Sequence, residues 1–131
     1  EEPAGIIAGS NGEMDEFCLF IDQLIRETGA RQLAYERNTI YLRFSHSKYN
    51  KGSALQEIAN KLKISPSETF AIGDNYNDLT MLQETAASMI GCPGNSIPEI
   101  KEEIIKRGGY VSSKACGAGV AEAIAHFFAV T

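Results

Sequence analysis

The chain has 131 residues, 44% of them hydrophobic and 22% charged, which is ordinary globular usage and excludes a wholly disordered or repetitive polypeptide. One ordinary domain of this size buries roughly 65–70% of the surface its unfolded form exposes, so a sizeable core is possible. Twelve basic against 17 acidic side chains give a formal charge of −5, a balance that argues against nucleic acid as a partner.

Met14, Phe17, Cys18, Ile21, Leu24 and Ile25 recur at helical spacing, between Ser10-Asn11-Gly12-Glu13 as a start and Gly29 as a stop. Alternating stretches over about 32–37 and 39–45 predict a hairpin, with Arg37-Asn38 between them and Ile40, Leu42 and Phe44 on one face. One helix and one hairpin close no good core of their own, so residues 1–46 are expected to be a partial α+β module. After His46-Ser47-Lys48-Tyr49-Asn50-Lys51-Gly52, a helix is expected over about 53–63 from Ala54, Leu55, Ile58, Ala59 and Leu62. Ser65-Pro66-Ser67-Glu68 reads as a capping box, followed by a strand at Thr69–Ile72. The polar loop Gly73–Asp78 leads to a short helix bearing Leu79, Met81 and Leu82, and a second strand is expected over about 87–90. Ser96-Ile97-Pro98-Glu99 caps a helix with Ile97, Ile100 and Ile104 inward, which Gly108-Gly109 stops. Tyr110-Val111 is a short third strand, and Val120, Ile124, Phe127 and Phe128 mark a closing helix. Strand, loop and helix units of this length predict an α/β fold with a parallel sheet and helical crossovers over residues 47–131. With only three parallel strands the sheet is expected to be partial, and its binding crevice lies beyond the carboxyl ends of the strands.

Cys18, Cys92 and Cys116 lie far apart with no C-x-x-C pair, which suggests neither a disulfide framework nor a zinc cluster and fits a reducing compartment. No window approaches about 18 uncharged apolar residues and no leader pattern opens the sequence, so the expectation is a cytoplasmic protein with no membrane partner.

The chemistry concentrates in Gly73-Asp74-Asn75-Tyr76-Asn77-Asp78, where two carboxylates and two amides occupy one connection after a strand. Oxygen ligands of this kind suit a hard cation such as magnesium that keeps several waters. Asp74 is the first choice as a direct ligand; Asp78 is a second ligand, an outer partner or a helix cap. Lys51, before a glycine and a helix start, is placed to neutralise a phosphate or pair with a carboxylate, or is a solvated loop lysine. Asn95 beside Gly94 is a turn residue at the same sheet edge; His46 reads as a linker residue and His126 as structural.

Lys51-Gly52-x-Ala54-Leu55, followed by Phe70-Ala71-Ile72-Gly73-Asp74-Asn75-Tyr76-Asn77-Asp78-Leu79-x-Met81-Leu82, resembles the haloacid dehalogenase superfamily of phosphohydrolases, in its Cof-type and sucrose-phosphatase-like branch. The resemblance implies a Rossmann-like core over about 45–131 and a remnant of an α+β cap over about 10–45, so only the carboxyl-terminal half of the family domain is expected here. It implies further that Lys51 steadies the transferring phosphoryl group, that Asp74 and Asp78 serve Mg2+, and that Asn77 orients the loop, which Gly73 and Asn75 shape. Asn95 would help to form the phosphate end, Gly117-x-Gly119-Val120-Ala121 would lead into the closing helix, and Arg37, at the hairpin tip Glu36-Arg37-Asn38, would touch substrate.

The family's D-x-D-G-T motif is absent: the aspartates are Asp15, Asp22, Asp74 and Asp78, and none belongs to a D-x-D. Two classes of function are therefore carried forward. One is a Mg2+-dependent phosphomonoesterase, acting through an aspartyl-phosphate on a phosphorylated small molecule such as a sugar phosphate, with a missing amino-terminal half as partner and this chain alone inactive. The other is a non-catalytic metal-binding, phosphate-binding or homo-oligomeric interaction module of the same fold.

Overall fold

A computed structural model describes residues 4–128; the ends of the two expected modules, 1–3 and 129–131, lie outside the described residues. The chain divides into two compact units, Glu1–Asn50 and Lys51–Thr131.

The first unit runs β1 (Gly5–Ile7), α1 (Asn11–Thr28), β2 (Leu33–Asn38) and β3 (Tyr41–His46), with the strands antiparallel in the order β1-β3-β2. Helix α1 starts where Ser10 accepts the Glu13 amide at 3.2 Å and Glu13 reaches back to the Gly9 amide at 2.7 Å, a reciprocal cap. It ends at Gly29, whose φ of 67° is the left-handed conformation that glycine tolerates. Met14, Ile21, Leu42 and Ala8 are buried together, with Ile6, Cys18, Ile25, Tyr35 and Phe44 packed around them. The Tyr35 hydroxyl donates to Asp22 at 3.0 Å, and burial together with that carboxylate pushes its pKa well above the ordinary tyrosine value.

Two expectations are corrected here. The unit is more than a helix and a hairpin: β1, too short and glycine-led to stand out in sequence, pairs Ile6 with Leu42 and gives the unit its own buried core. The hairpin turns at Thr39-Ile40, not at Arg37-Asn38, because Thr39 takes a φ of 50° and the strand alternation continues through Glu36-Arg37-Asn38.

The second unit runs α2 (Lys51–Leu62), a 3-10 turn at Pro66–Glu68, β4 (Phe70–Ile72), a 3-10 turn at Tyr76–Asp78, β5 (Met89–Cys92), α3 (Pro98–Lys106), β6 (Tyr110–Val111) and α4 (Cys116–Phe127). The strands form a parallel sheet in the order β4-β5-β6, pairing Ile72 with Gly91 and Gly91 with Tyr110. Ala71, Leu82, Ala87, Ile90, Cys92, Ile100 and Ile104 form the core. The expected short helix after Asp78 is replaced by consecutive turns, yet Leu82 is fully buried and Leu79 and Met81 pack against the core. Three apolar residues in under two turns do not distinguish a helix from a folded loop. Helix α3 is capped one residue later than Ser96, at Ile97, because Pro98 fits the first helical turn. Helix α4 faces the sheet with Gly119 and Ala123, while Ile124 and Phe128 remain exposed.

Among the described residues no helix is long and apolar enough to cross a membrane. Because Leu42 is fully buried at the centre of the first unit, Leu42→Ala is expected to lower stability by about 2–5 kcal/mol, read by urea denaturation. A loss under about 1 kcal/mol would show that the unit has no core of its own.

Candidate functional site

Three connections leave the carboxyl edge of the parallel sheet: Gly73–Asp78 after β4, Pro93–Ile97 after β5 and Ser112–Ala115 after β6. Gly73 and Asp74 of the first connection, Pro93 of the second and Cys116, which opens α4 just after the third, line an open cleft of about 420 Å3 that also takes in Lys51 and Asp78. Ligands of open α/β sheets bind at this edge.

The Asp78 carboxylate organises the cleft. Its side chain is 4% exposed; Oδ1 accepts from the Lys51 ammonium, and Oδ2 accepts the backbone amides of Asp74 at 2.9 Å and Asn75 at 3.2 Å. Burial alone would raise its pKa, but the Lys51 hydrogen bond and those two amides outweigh burial and hold the carboxyl below its ordinary value. Asp78 reaches the amides because the loop closes as a 3-10 turn, with the Asp78 amide donating to the Asn75 carbonyl at 2.9 Å. Gly73 permits the approach: a Cβ there would lie 2.4 Å from the Asp78 Cβ. Lys51 is aligned from the other side, since the amide of Gly52 donates to Thr80 Oγ1 at 3.0 Å and a Cβ on Gly52 would meet the Thr80 carbonyl oxygen at 2.3 Å.

Asp74 carries the other carboxylate, exposed at the cleft wall. Burial of its carboxyl, followed by the nearby Asp78 charge, raises its pKa despite Lys51. Its backbone is fixed, because the Asp74 carbonyl accepts the Ile97 amide at 3.1 Å and the following Tyr76 hydroxyl donates to Glu99 at 2.7 Å. The donor set fits Mg2+ held through one carboxylate, waters and a phosphate oxygen, which is how that ion usually binds. Both oxygens of Asp78 are already engaged, which leaves Asp74 as the carboxylate open to the cleft. Among the described residues no group of three or more His, Cys, Asp or Glu side chains forms a metal cluster.

Lys51, Gly73, Asp74 and Asp78 thus come together in one cleft. Asn75 is buried, with its side chain accepting the Tyr76 amide at 2.9 Å, and Asn77 sits half-buried within the 3-10 turn. Asn95 is exposed and ties two connections together, its Oδ1 accepting the Cys116 amide at 2.7 Å. Arg37 belongs to the first unit, where its guanidinium pairs with Asp15 and donates to the carbonyls of Thr39 at 2.8 Å and Asn11 at 3.3 Å. His46 ends β3 and accepts the Lys48 amide at 3.2 Å; His126 stacks on Tyr110 with ring centroids 4.1 Å apart. Sequence reasoning missed Cys116, which opens α4 and lines the cleft. No motif surrounds it, and the available signal was its place just beyond β6.

A family model described as haloacid dehalogenase-like hydrolase matches residues 6–124. A phosphoglycolate phosphatase of Methanothermobacter thermautotrophicus is 38% identical over 78 residues, covering 60% of this chain and 33% of that protein. The sucrose-phosphatase of Synechocystis sp. PCC6803, solved with sucrose and phosphate, shares the fold at TM-score 0.72 and 24% identity, over 97% of this chain and 53% of that one. A haloacid dehalogenase-like hydrolase from Bacillus subtilis aligns at TM-score 0.69 and 24% identity, over 96% of this chain and 40% of that one. The chain spans about a third of the length of the curated relatives it matches.

These matches correct the expectation that the resemblance is confined to a carboxyl-terminal half. The family match begins at residue 6 and takes in the helix and antiparallel strands of the first unit as well as the parallel sheet. The missing amino-terminal half expected as a partner is withdrawn on the same ground, since both units fall within one family match and one structural alignment.

The close approach at Gly73 gives a direct test. Gly73→Ala is expected to push the Asp78 carboxylate off the loop amides and cost about 1–3 kcal/mol by chemical denaturation, the usual penalty of overpacking. An unchanged midpoint would show that the loop does not depend on this contact.

Proposed function

We propose that this chain, which belongs to the haloacid dehalogenase-like hydrolase family, serves phosphomonoester hydrolysis by holding a phosphoryl group and Mg2+ in the cleft between Lys51 and Asp74. The observation that carries this reading is the pairing of opposite charges across one loop. Asp78 fixes the Lys51 ammonium, and the same loop presents the Asp74 carboxylate to the same cleft.

Each residue has a distinct part. Lys51, with its side chain 45% exposed, offers further N–H donors to phosphate oxygens while Asp78 sets its direction. Asp74 is the group that would hold Mg2+, and Asp78 supports it through the backbone amide it accepts from Asp74. When bound, the ion neutralises phosphate charge and polarises a phosphoryl oxygen. The first turn of α4 has no acidic side chain and begins at Cys116 in the cleft, so the positive end of its dipole favours the same anion. Asn95 holds that turn by its Cys116 hydrogen bond. The substrate class is a small phosphorylated metabolite such as a sugar phosphate, cleaved by water to the alcohol and inorganic phosphate.

One observation favours a second reading, in which metal and phosphate bind without turnover. Phosphoryl transfer by this scheme needs a carboxylate nucleophile in line with phosphorus. Asp15 is engaged by Arg37, Asp22 by Tyr35 and Asp78 by Lys51, and Asp74 is the proposed metal ligand. Phosphate release from a panel of sugar phosphates separates the two readings.

Calorimetric titration tests the site they share. Inorganic phosphate should bind in the presence of Mg2+; Lys51→Ala should weaken phosphate, and Asp74→Asn should weaken Mg2+, by about tenfold or more each, where tenfold is about 1.4 kcal/mol. Equal binding by wild type and both variants would overturn the assignment.

A further inference from the structure

Close in sequence to the cleft residue Cys116, the connection after β6 is held by a side chain with no part in the proposed site. Glu122 lies in the middle of α4, and its carboxylate turns back past the start of that helix to the end of β6. Oε2 accepts from the Ser112 hydroxyl and from the Ser113 amide at 2.8 Å, and Oε1 accepts the Ser113 hydroxyl at 3.0 Å. Ser112 is itself buried, and its Oγ accepts the Lys114 amide at 3.0 Å. The hydrogen bond from Ser112, then those from Ser113 and Lys114, hold the Glu122 carboxyl below the usual glutamate range although it lies near solvent.

From this latch the connection passes straight to the cleft. The Lys114 carbonyl accepts the Gly94 amide at 2.7 Å, and two residues on the Cys116 amide donates to Asn95 at 2.7 Å. The connections after β5 and β6 are thereby tied twice, on either side of Ala115. The fit is tight: a Cβ on Gly94 would come 2.8 Å from the Ser112 carbonyl oxygen, and one on Gly119 would come 2.3 Å from that of Lys114. Cys116 is held with φ at 50°, a left-handed conformation that a non-glycine residue keeps only when its surroundings impose it. Cys116 and Pro93 are the cleft residues these ties place.

We infer that Glu122 is a positioning residue for the phosphate end of the cleft: by fixing Ser112 and Ser113 it sets where Asn95, Cys116 and the first turn of α4 meet the bound phosphate. The inference rests on the proposed phosphate and Mg2+ site. It assigns Glu122 no contact with ligand, and it separates anion from cation, because among the described residues Glu122, Ser112 and Ser113 make no direct hydrogen bond to the Asp74 loop, which Asp78, Ile97 and Glu99 hold.

Glu122→Gln keeps the shape but removes the carboxylate charge and one acceptor oxygen, which weakens the hold on the Ser112 and Ser113 hydroxyls and the Ser113 amide. Inorganic phosphate titrated at saturating Mg2+ should bind about tenfold more weakly to this variant, while Mg2+ affinity stays within about twofold of wild type. In 15N-resolved spectra the Gly94 and Cys116 amides should shift, and those of Asp74 and Asn75 should not. Ser113→Ala, which keeps the backbone amide bond to Glu122, should show the same pattern with a smaller loss, and it provides the test if Glu122→Gln does not fold. A purely structural role would lower the melting temperature without separating phosphate from Mg2+. Unchanged phosphate affinity in a folded variant, or equal losses of phosphate and Mg2+, would overturn the inference while leaving the site intact. A wild-type protein that binds no phosphate would overturn both.

Discussion

The second unit is organised around one buried carboxylate that accepts three donors. Asp78 is removed from water, which by itself disfavours its charge, and it remains ionised because Lys51 and the amides of Asp74 and Asn75 replace the lost hydration. The consequences run in two directions. Towards α2, the ion pair fixes the ammonium of a lysine whose side chain would otherwise sample many rotamers. Towards β4, the amide bonds wrap the loop so that the next carboxylate, Asp74, faces the open cleft. A single group thereby positions one positive and one negative charge, with no cluster of ligands required.

Backbone proximity makes this arrangement possible. Gly73 and Gly52 stand where any side chain would meet Asp78 or the Thr80 carbonyl, and Gly94 and Gly119 do the same where the connections after β5 and β6 meet the start of α4. Backbone thus comes close to its neighbours beside the cleft, where the Lys114 carbonyl ties Gly94 and the Asn95 side chain ties Cys116. Backbone held in this way keeps its donors aimed without reorganisation, the property that electrostatic stabilisation of a phosphoryl group requires.

The polar loop was legible in sequence because Asp74 and Asp78 stand directly after a strand, where a parallel sheet opens its crevice. Helix α1, with its cap at Ser10 and stop at Gly29, was equally legible, since an 18-residue helix repeats its apolar spacing many times. The partnership of Lys51 with Asp78 was not visible from spacing: 27 residues separate them, and only the family resemblance linked the two segments. Strand β1 escaped notice because three residues offer no alternation to read, and the turns after Asp78 were mistaken for a helix because Leu79, Met81 and Leu82 are buried in either conformation. Glu122 had no local signal, and Cys116 had only its place just beyond β6. Their importance arises from contacts made with Ser112, Ser113 and Asn95, which folding alone brings near.

The central claim, that Asp78 is the fixed support and that Lys51 and Asp74 face the ligand, is tested most directly by a crystal structure of the protein with Mg2+ and inorganic phosphate. The account predicts phosphate between the Lys51 ammonium and the first turn of α4, the ion on Asp74, and Asp78 still accepting the amides of Asp74 and Asn75. An ion bound by Asp78 with those amides released, or phosphate seated away from Lys51, would contradict it.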